Sequence, residues 1–276
     1  MILYSDAPGP FPGGDPTQDY FPGNPKTPAS IPGYGPNTRT LLQIRVMPLS
    51  SPVADPPITL PKPAKFTPTD PFLVKQSAGM PTAYTVNQQG FATIKLATGV
   101  KVQAKVRSLT LNEAFDEYGR LAQLLGTNVP TIPGVKALNF GRPYMDGVTE
   151  NPAAGDYEIW EIANLSADTH PIHFHLVNVQ ILWRQKFAIN TYSGTPNYQG
   201  SPVGPDANEL GWKETVRMNP GEVTSVLMKF DMPAVPFTVP PSPRLLDYGI
   251  TGAEYVWHCH ILEHEEHDMM RALVVT

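Results

Sequence analysis

The sequence predicts an all-β fold, a β-sandwich or a Greek-key barrel, on three observations. From about residue 100 onward, short apolar runs alternate with turn residues. The chain has 32 prolines, half of them in the first 70 positions, which excludes long helices there. Only the segment 111–125 has the composition of a helical turn or two, and Gly119 and Gly126 limit its length. Short strands, frequent turns and few helices are typical of these two architectures.

Seven segments have the apolar pattern of strands. In 41–46, Leu42, Ile44 and Val46 lie on one face. The sequence Asn219-Pro220-Gly221-Glu222 predicts a tight turn between two other segments, so we expect those two strands to pair as a hairpin. The predicted strands are 41–46, 100–106, 157–163, 173–183, 214–218, 224–230 and 255–260.

Composition divides the chain into three parts. Residues 1–40 are dense in turn residues and strand 41–46 has no evident partner nearby, so 1–50 is predicted to be the end of a preceding domain. Residues 51–100 are rich in proline and predict a linker. Residues 101–276 carry the remaining strands and predict the main domain.

Charge, hydropathy and cysteine content exclude several classes of protein. A net charge of −5 offers no basic surface for nucleic acid or anionic lipid. No apolar run reaches the roughly 18 residues of a membrane span. The first residues, Met1-Ile2-Leu3-Tyr4-Ser5-Asp6, lack a basic start and a long apolar run, so no signal peptide is predicted. The single cysteine, Cys259, excludes an internal disulfide framework.

All seven histidines lie between residues 170 and 267, in two clusters. The first is His170-Pro171-Ile172-His173-Phe174-His175. The second is His258-Cys259-His260-Ile261-Leu262-Glu263-His264, with Met269 five residues further on. Such clustering around the only cysteine is improbable for ordinary strand and loop histidines, and it indicates a metal site.

Strand geometry assigns the clusters to two faces, because successive side chains of a strand point to opposite sides. His258 and His260 therefore share one face, and Cys259 points to the other. His173 and His175 likewise share a face. One strand can thus serve a thiolate site on one side and an imidazole site on the other.

The thiolate side has a specific set of ligands. Cys259, His264 and Met269 come from one loop, and His170 can come from a neighbouring strand end. Two imidazoles, one thiolate and a distant methionine form the blue-copper arrangement, which transfers electrons. Zinc also accepts cysteine and histidine, but its structural sites take four strong ligands with closer paired spacing. Copper is therefore the predicted metal.

The imidazole side offers four histidines on two adjacent strands, and such a set suits a cluster of further copper ions. The short covalent path from Cys259 to its two neighbours would carry electrons from the first copper to that cluster. The four residues are His173, His175, His258 and His260.

Both clusters resemble the C-terminal copper motifs of multicopper oxidases. The motifs are His-Pro-Ile-His-Phe-His at 170–175 and Tyr-Val-Trp-His-Cys-His-Ile-Leu-Glu-His-Glu-Glu-His-Asp-Met-Met-Arg at 255–271. The spore-coat laccase and bilirubin oxidase branch is the most similar, and the resemblance is strong over about 105–276. Further support comes from 116–120, 157–162 and 211–215, and from 2–6 and 42–46, which resemble the end of that family's middle domain.

The resemblance implies a cupredoxin-like Greek-key fold and a role for each motif residue. The type 1 copper ligands would be His170, Cys259, His264 and Met269. The type 2 copper would take His173, and the type 3 pair would take His175, His258 and His260, three of its six ligands. Glu265 matches an acidic position implicated in proton supply during oxygen reduction, and a solvated loop carboxylate is an equal alternative. His267 is expected at the surface and Met270 in the core.

The resemblance also implies a laccase-like oxidase, which takes electrons from small phenolic, amine or metal donors and passes them to dioxygen. His264 would face the donor. This chain has none of the family's N-terminal His-X-His motifs, so a missing N-terminal domain or a partner chain is expected to complete the trinuclear cluster. The family's habit implies an extracytoplasmic or spore-surface location.

Three questions stay open at this point. The segment 231–254 is longer than in the spore-coat relatives, and it could be a lid, a wall beside the type 1 site or a passive insertion. An electron-transfer cupredoxin with one copper is an alternative function, although it would have no need of the four histidines on the second face. An inactive fragment of an oxidase is the other alternative.

Overall fold

The computed structural model describes residues 1–5, 7, 9, 11–15, 23, 29, 39–47, 72–115, 118–131, 140–246 and 248–276. The chain divides into two compact units, Met1–Thr69 and Asp70–Thr276. The first half of the predicted linker, up to residue 71, lies outside the described residues, as do residues 116 and 117 of the stretch 116–120.

The described residues of the first unit contain one pair of antiparallel strands, β1 (Ile2–Tyr4) and β2 (Thr40–Gln43). Leu3 lies opposite Leu42 in this pair. The predicted strand 41–46 is therefore present in part, and the expectation that it has no partner nearby is wrong. The chain returns at Thr40 to pair with its own first residues.

The second unit is built almost entirely from strands, which confirms the all-β fold class. Its described part has two short α-helices, α1 (Pro243–Leu246) and α2 (Leu262–Glu266). None of the described helices is long and apolar enough to span a membrane. The strands are β3 (Phe91–Lys95), β4 (Lys101–Phe115), β5 (Leu121–Thr127), β6 (Tyr157–Asn164), β7 (His170–Phe174), β8 (Val179–Phe187), β9 (Tyr198–Val203), β10 (Thr215–Met218), β11 (Glu222–Lys229), β12 (Ala253–Cys259) and β13 (Met270–Val275).

These strands form two sheets that pack face to face as a β-sandwich. The smaller sheet has the order β10-β7-β12-β13, and the larger has the order β3-β4-β6-β11-β8-β9 with β5 beside β4. All pairings within them are antiparallel except that of β4 with β6. The main core lies between the sheets, where Ile172 and Trp257 of the smaller sheet join Trp160 and Ile181 of the larger one.

A second core covers the outer face of the larger sheet. Val74 and Ile94 pack there against Ile159 and Leu182. The backbone N–H of Val74 also donates to Oε1 of the buried Gln180 at 2.8 Å. The compact unit thus includes the described residues 72–100 of the predicted linker and begins before the predicted domain start at residue 101.

The prediction of a helical turn in 111–125 is wrong, because this segment forms the hairpin of β4 and β5. Leu111 lies opposite Leu125, and both are fully buried. Gly119 lies in the connection with a φ of 76°, a left-handed conformation that favours glycine. Of the two glycines expected to limit a helix, Gly119 is a turn residue and Gly126 is a residue of β5.

Two predictions about strand connections also need correction. Segment 173–183 is not one strand, since β7 and β8 belong to different sheets and Leu176, with a φ of 71°, lies between them. Asn219 and Glu222 do close a turn, with 3.3 Å from the Glu222 nitrogen to the Asn219 oxygen. The expected hairpin is absent, because β10 and β11 leave this turn into different sheets.

Candidate metal centre

Three side chains that the sequence placed in one site converge inside the sandwich. Cys259 ends β12, His170 begins the neighbouring strand β7, and His264 lies on α2. Cys259 Sγ is 3.5 Å from His170 Nδ1 and 3.7 Å from His264 Nδ1. The two Nδ1 atoms are 3.2 Å apart. The thiol and the two imidazoles therefore point their donor atoms at one position.

Burial disfavours the charged forms of these three groups. Cys259 and His170 are fully buried and His264 is 9% exposed. Burial raises the pKa of the Cys259 thiol to about 12 and lowers the pKa of His170 to about 3, the latter with help from the nearby His264. Burial also lowers the pKa of His264. Neutral imidazoles with free lone pairs are the form that binds a metal.

A pair of polar side chains that sequence reasoning missed fixes the orientation of the His170 ring. Ser166 Oγ donates to Asn164 Oδ1 at 2.7 Å and lies 2.7 Å from His170 Nε2. Because the serine proton goes to an amide oxygen, Oγ accepts from the Nε2–H of His170. The free lone pair of the imidazole is then on Nδ1, which faces Cys259 Sγ. The only sequence signal for this pair is one polar residue at the end of the buried strand β6, Asn164, and another two positions later, Ser166.

Met269 is the fourth predicted member of the site. It is fully buried in the main core. Its backbone N–H donates to the His264 carbonyl at 2.9 Å, and its carbonyl accepts from the Cys259 N–H at 3.0 Å. The backbone of Met269 is therefore held between two of the converging residues.

The spacing of the three donor atoms fits a metal ion at their centre. With about 2.0 Å from a first-row metal to imidazole nitrogen and about 2.3 Å to thiolate, ligands 120° apart would be about 3.5 Å (N to N) and about 3.7 Å (N to S) from one another. The observed separations of 3.2, 3.5 and 3.7 Å match these values to a few tenths of an ångström. A trigonal set of two nitrogens and one sulfur is what a blue copper ion takes.

The other face of the smaller sheet carries the second histidine set. His258 lies directly opposite His173 in the pairing of β12 with β7. Their ring centroids are 5.4 Å apart, and the centroid of His175 is 5.3 Å from that of His258. Ligand nitrogens of these three residues lie within 4.8 Å of one another. His260 lies at the edge of this group, with its ring 5.6 Å from that of His173.

Backbone and side-chain oxygens anchor two of these rings through Nδ1. His173 Nδ1 is 2.9 Å from the Glu214 carbonyl oxygen, to which it donates. His258 Nδ1 is 3.0 Å from the Cys259 carbonyl oxygen and 3.2 Å from Glu265 Oε2. Both rings therefore leave Nε2 with a free lone pair, which is how metal-binding histidines are usually oriented.

The histidine face is partly open. His258 is buried, whereas His175 and His260 are exposed. A cavity of about 470 Å³ adjoins His173 and His175 and is also lined by Leu176. Burial lowers the pKa of His175, and the neighbouring histidines lower it further.

Three more residues singled out from the sequence lie around these groups. Glu265 is on α2, in contact with His258. His267 is exposed and belongs to neither group of converging donor atoms. Met270 is partly buried and pairs with His258 across β12 and β13. His267 thus lies at the surface, as the sequence predicted, whereas Met270 belongs to neither core and lies on the face of the smaller sheet that carries His258, so its predicted core position is wrong.

Comparison with known proteins shows the family of this chain. A sequence model of the multicopper oxidase family matches residues 125–276, which is more than half of the chain. The chain belongs to the multicopper oxidase family. The matched region contains β6 to β13 and every residue of both histidine groups.

Individual multicopper oxidases are similar over part of their length. A laccase of Bacillus subtilis (strain 168) is 38% identical over 173 residues, which are 62% of this chain and 28% of the laccase. Multicopper oxidase LPR1 of Arabidopsis thaliana is 33% identical over 156 residues, 49% of this chain and 25% of LPR1. The chain thus spans little more than a quarter of the curated relatives it matches.

Solved structures of multicopper oxidases are similar to part of this chain. McoA of the hyperthermophile Aquifex aeolicus is 24% identical, with a TM-score of 0.38, over 63% of this chain and 29% of McoA. A laccase of Pediococcus acidilactici is 19% identical, with a TM-score of 0.38, over 75% of this chain and 31% of that structure.

Proposed function

We propose that this chain is the C-terminal part of a laccase-like multicopper oxidase. The observation that carries the proposal is that adjacent residues of one strand, β12, belong to two different groups of metal-binding side chains. Cys259 of β12 points into the core toward His170 and His264, and the adjacent His258 points to the opposite face toward His173. A type 1 site and part of a trinuclear site would then be joined through a few covalent bonds.

The type 1 copper would be held by His170, Cys259, His264 and Met269. Copper bound there supplies one-electron chemistry, accepting electrons from a donor and passing them on toward dioxygen. The chain's own residues exclude water from this site, because three of the four are fully buried. Ser166 fixes the His170 ring, so that the nitrogen lone pair is aligned before any metal binds. Rigid, dry ligands change little between oxidation states, which suits electron transfer.

The histidine face would hold part of the type 2 and type 3 copper sites. His173 would serve the type 2 ion, and His175, His258 and His260 the type 3 pair. The exposure of His175 and His260 and the free Nε2 atoms of His173 and His258 support a site that another surface completes. We therefore propose that a missing N-terminal cupredoxin domain or a partner chain supplies the remaining histidines, with residues 1–50 as the end of an intervening domain.

Glu265 is the proposed source of protons for dioxygen reduction. The position of Glu265 supports this role, because its carboxylate lies 3.2 Å from His258 Nδ1, next to the histidine face. The proposed electron donors are small phenols, amines or metal ions. A simple electron-carrying cupredoxin is the less favoured function, because it would leave three converging histidines on the second face without a role.

A copper-loading experiment tests the type 1 assignment. The recombinant chain should bind one copper(II) with intense blue absorption and a narrow hyperfine splitting in paramagnetic resonance. Cys259→Ser should lose the blue colour, because a serine hydroxyl cannot replace the thiolate. His267→Ala is the matched control, since this exposed histidine contributes to neither donor group, and its spectrum should equal the wild type. A colourless copper protein, or colour that survives Cys259→Ser, would disprove the assignment.

A further inference from the structure

The segment 231–254, whose role the sequence left open, is folded onto itself by a small polar network. Ser242 Oγ donates to Glu254 Oε2 at 2.6 Å, and Arg244 Nε donates to Glu254 Oε1 at 2.8 Å. The Ser242 backbone N–H donates to the Gly252 carbonyl at 2.8 Å. These contacts close the end of the segment around α1, so that the Arg244 guanidinium has a fixed position.

The same guanidinium reaches out of the segment to Tyr144. Arg244 Nη1 donates to the Tyr144 carbonyl oxygen at 3.0 Å, and the guanidinium carbon lies 4.5 Å from the centroid of the Tyr144 ring. A cation over an aromatic face adds to a charge-assisted hydrogen bond. The folded segment therefore contacts Tyr144 through a hydrogen bond and a cation–π interaction.

Tyr144 is bound from its other side by the loop that carries the proposed copper ligands. Its backbone N–H donates to Asp268 Oδ2 at 3.0 Å. Asp268 has a φ of 77° and immediately precedes Met269. The backbone of Met269 is in turn bonded to His264 and Cys259. Tyr144 thus connects Arg244 to the turn between the proposed ligands His264 and Met269.

The loop around Tyr144 is held in place by hydrogen bonds from a buried arginine. Arg271 of β13 is 1% exposed, and it donates to the Pro143 carbonyl and to the Gly147 carbonyl, each at 2.6 Å. The two hydrogen bonds fix the loop on both sides of Tyr144. A displacement of the Tyr144 peptide would therefore require breaking buried, charge-assisted hydrogen bonds.

We infer that Arg244, Tyr144 and Asp268 form a clamp by which the segment 231–254 holds the type 1 ligand loop in place. Arg244 and Asp268 are positioning residues in this clamp, since each contacts Tyr144 and neither is a proposed copper ligand. The segment 231–254 then stabilises the position of the ligand loop and is not a passive insertion. This inference rests on the proposed type 1 site, whose own test is the blue colour of the wild-type chain.

Substitutions of Asp268 test the hydrogen bond between the Asp268 carboxylate and the Tyr144 N–H. Asp268→Gly keeps the left-handed φ without strain but removes the acceptor for the Tyr144 N–H. Asp268→Asn also tolerates this conformation and keeps a side-chain oxygen. We expect the glycine variant to show altered visible and paramagnetic-resonance spectra and to lose copper to a chelator about tenfold faster. The asparagine variant should restore the wild-type spectra and rate.

Substitutions of Arg244 test the contact between its guanidinium and Tyr144. Arg244→Ala should change the spectra and the rate of copper loss in the same direction as Asp268→Gly. Lys229→Ala is the matched control, because Lys229 also pairs with a carboxylate, Asp231, and lies over a tyrosine ring, that of Tyr157. If Arg244→Ala does not fold, Arg244→Lys replaces it, since lysine keeps the charge but cannot bridge Glu254 and Tyr144 with a planar fork.

The outcomes separate the clamp from the type 1 assignment. Spectral changes in Asp268→Gly and in the Arg244 variant, with Asp268→Asn and Lys229→Ala like the wild type, support the clamp. A blue wild type whose Asp268→Gly and Arg244 variants keep the wild-type spectra and copper-loss rates overturns the clamp and leaves the type 1 site intact. A wild type without a blue centre overturns the type 1 assignment and the clamp with it.

Discussion

At the residue scale, Met269 is the proposed ligand that tunes the copper without holding it in place. Replacing Met269 by leucine should keep the blue centre and raise its reduction potential by several tens of millivolts, because leucine donates no electron density to copper. Redox titration of the two copper-loaded proteins measures the shift. Met270→Leu is the control, since Met270 pairs with His258 in the sheet and is no proposed ligand. A potential that is unchanged or lowered in Met269→Leu would show that Met269 is not the axial group.

The ligands and the groups that orient them differ in how far the sequence predicts them. The alternation of strand side chains is enough to place Cys259 and His258 on opposite faces of one strand. Ser166 and Asn164, by contrast, act through a hydrogen-bond chain, and Asp268 acts on Tyr144, which is 124 residues away along the chain. A hydrogen-bond partner so distant depends on how the sheets pack, and no local pattern records it.

At the scale of elements, the sequence predicted the class of each segment better than the connections between segments. The run 173–183 has strand character throughout, so its pattern contains no sign that β7 and β8 enter different sheets. The break falls at Leu176, whose positive φ is uncommon for a leucine and therefore has no sequence signature. The turn at Asn219 was visible for the opposite reason, because asparagine, proline and glycine are turn formers.

A close approach between elements gives a stability prediction. Gly126 of β5 forms a bridge with Gly141, and a Cβ on Gly126 would lie 1.7 Å from the Phe140 carbonyl oxygen. Gly126→Ala should therefore lower the free energy of unfolding by about 1–3 kcal/mol or more, as overpacking does. Thermal and denaturant unfolding measure the change.

Gly147→Ala is the control for this substitution, because a Cβ there meets no atom within 4 Å. Its stability should stay within about 0.5 kcal/mol of the wild type, the usual range for a surface change. Equal stability of Gly126→Ala and the wild type would contradict the close contact of β5 with the Phe140 backbone.

At the scale of the whole molecule, the smaller sheet separates two environments. Its inner face packs Cys259 into the main core, and its outer face carries His173, His175 and His260 in partly or fully exposed positions. The two proposed sites would therefore differ in what they require. The four proposed type 1 ligands all belong to this chain, whereas the proposed site on the histidine face would need further ligands from another surface.

The last prediction follows from this difference: alone, the chain should not reduce dioxygen to water at the rate of an oxidase. The resemblance implies eight histidines for the three ions of the trinuclear cluster, and this chain offers His173, His175, His258 and His260. Ions with half of their ligands bind weakly, because the free energy of metal binding depends on the complete set.

Copper content and oxygen uptake with a phenolic donor would be measured before and after a recombinant N-terminal half is added. We expect one tightly bound copper and negligible uptake beforehand, and further copper with oxygen uptake afterwards. His258→Ala should abolish the gained activity but leave the blue centre, because its imidazole and the Cys259 thiol lie on opposite faces of β12. Full turnover and four coppers in the chain alone would contradict the half-site, whereas activity restored only on mixing requires that the second surface completes it.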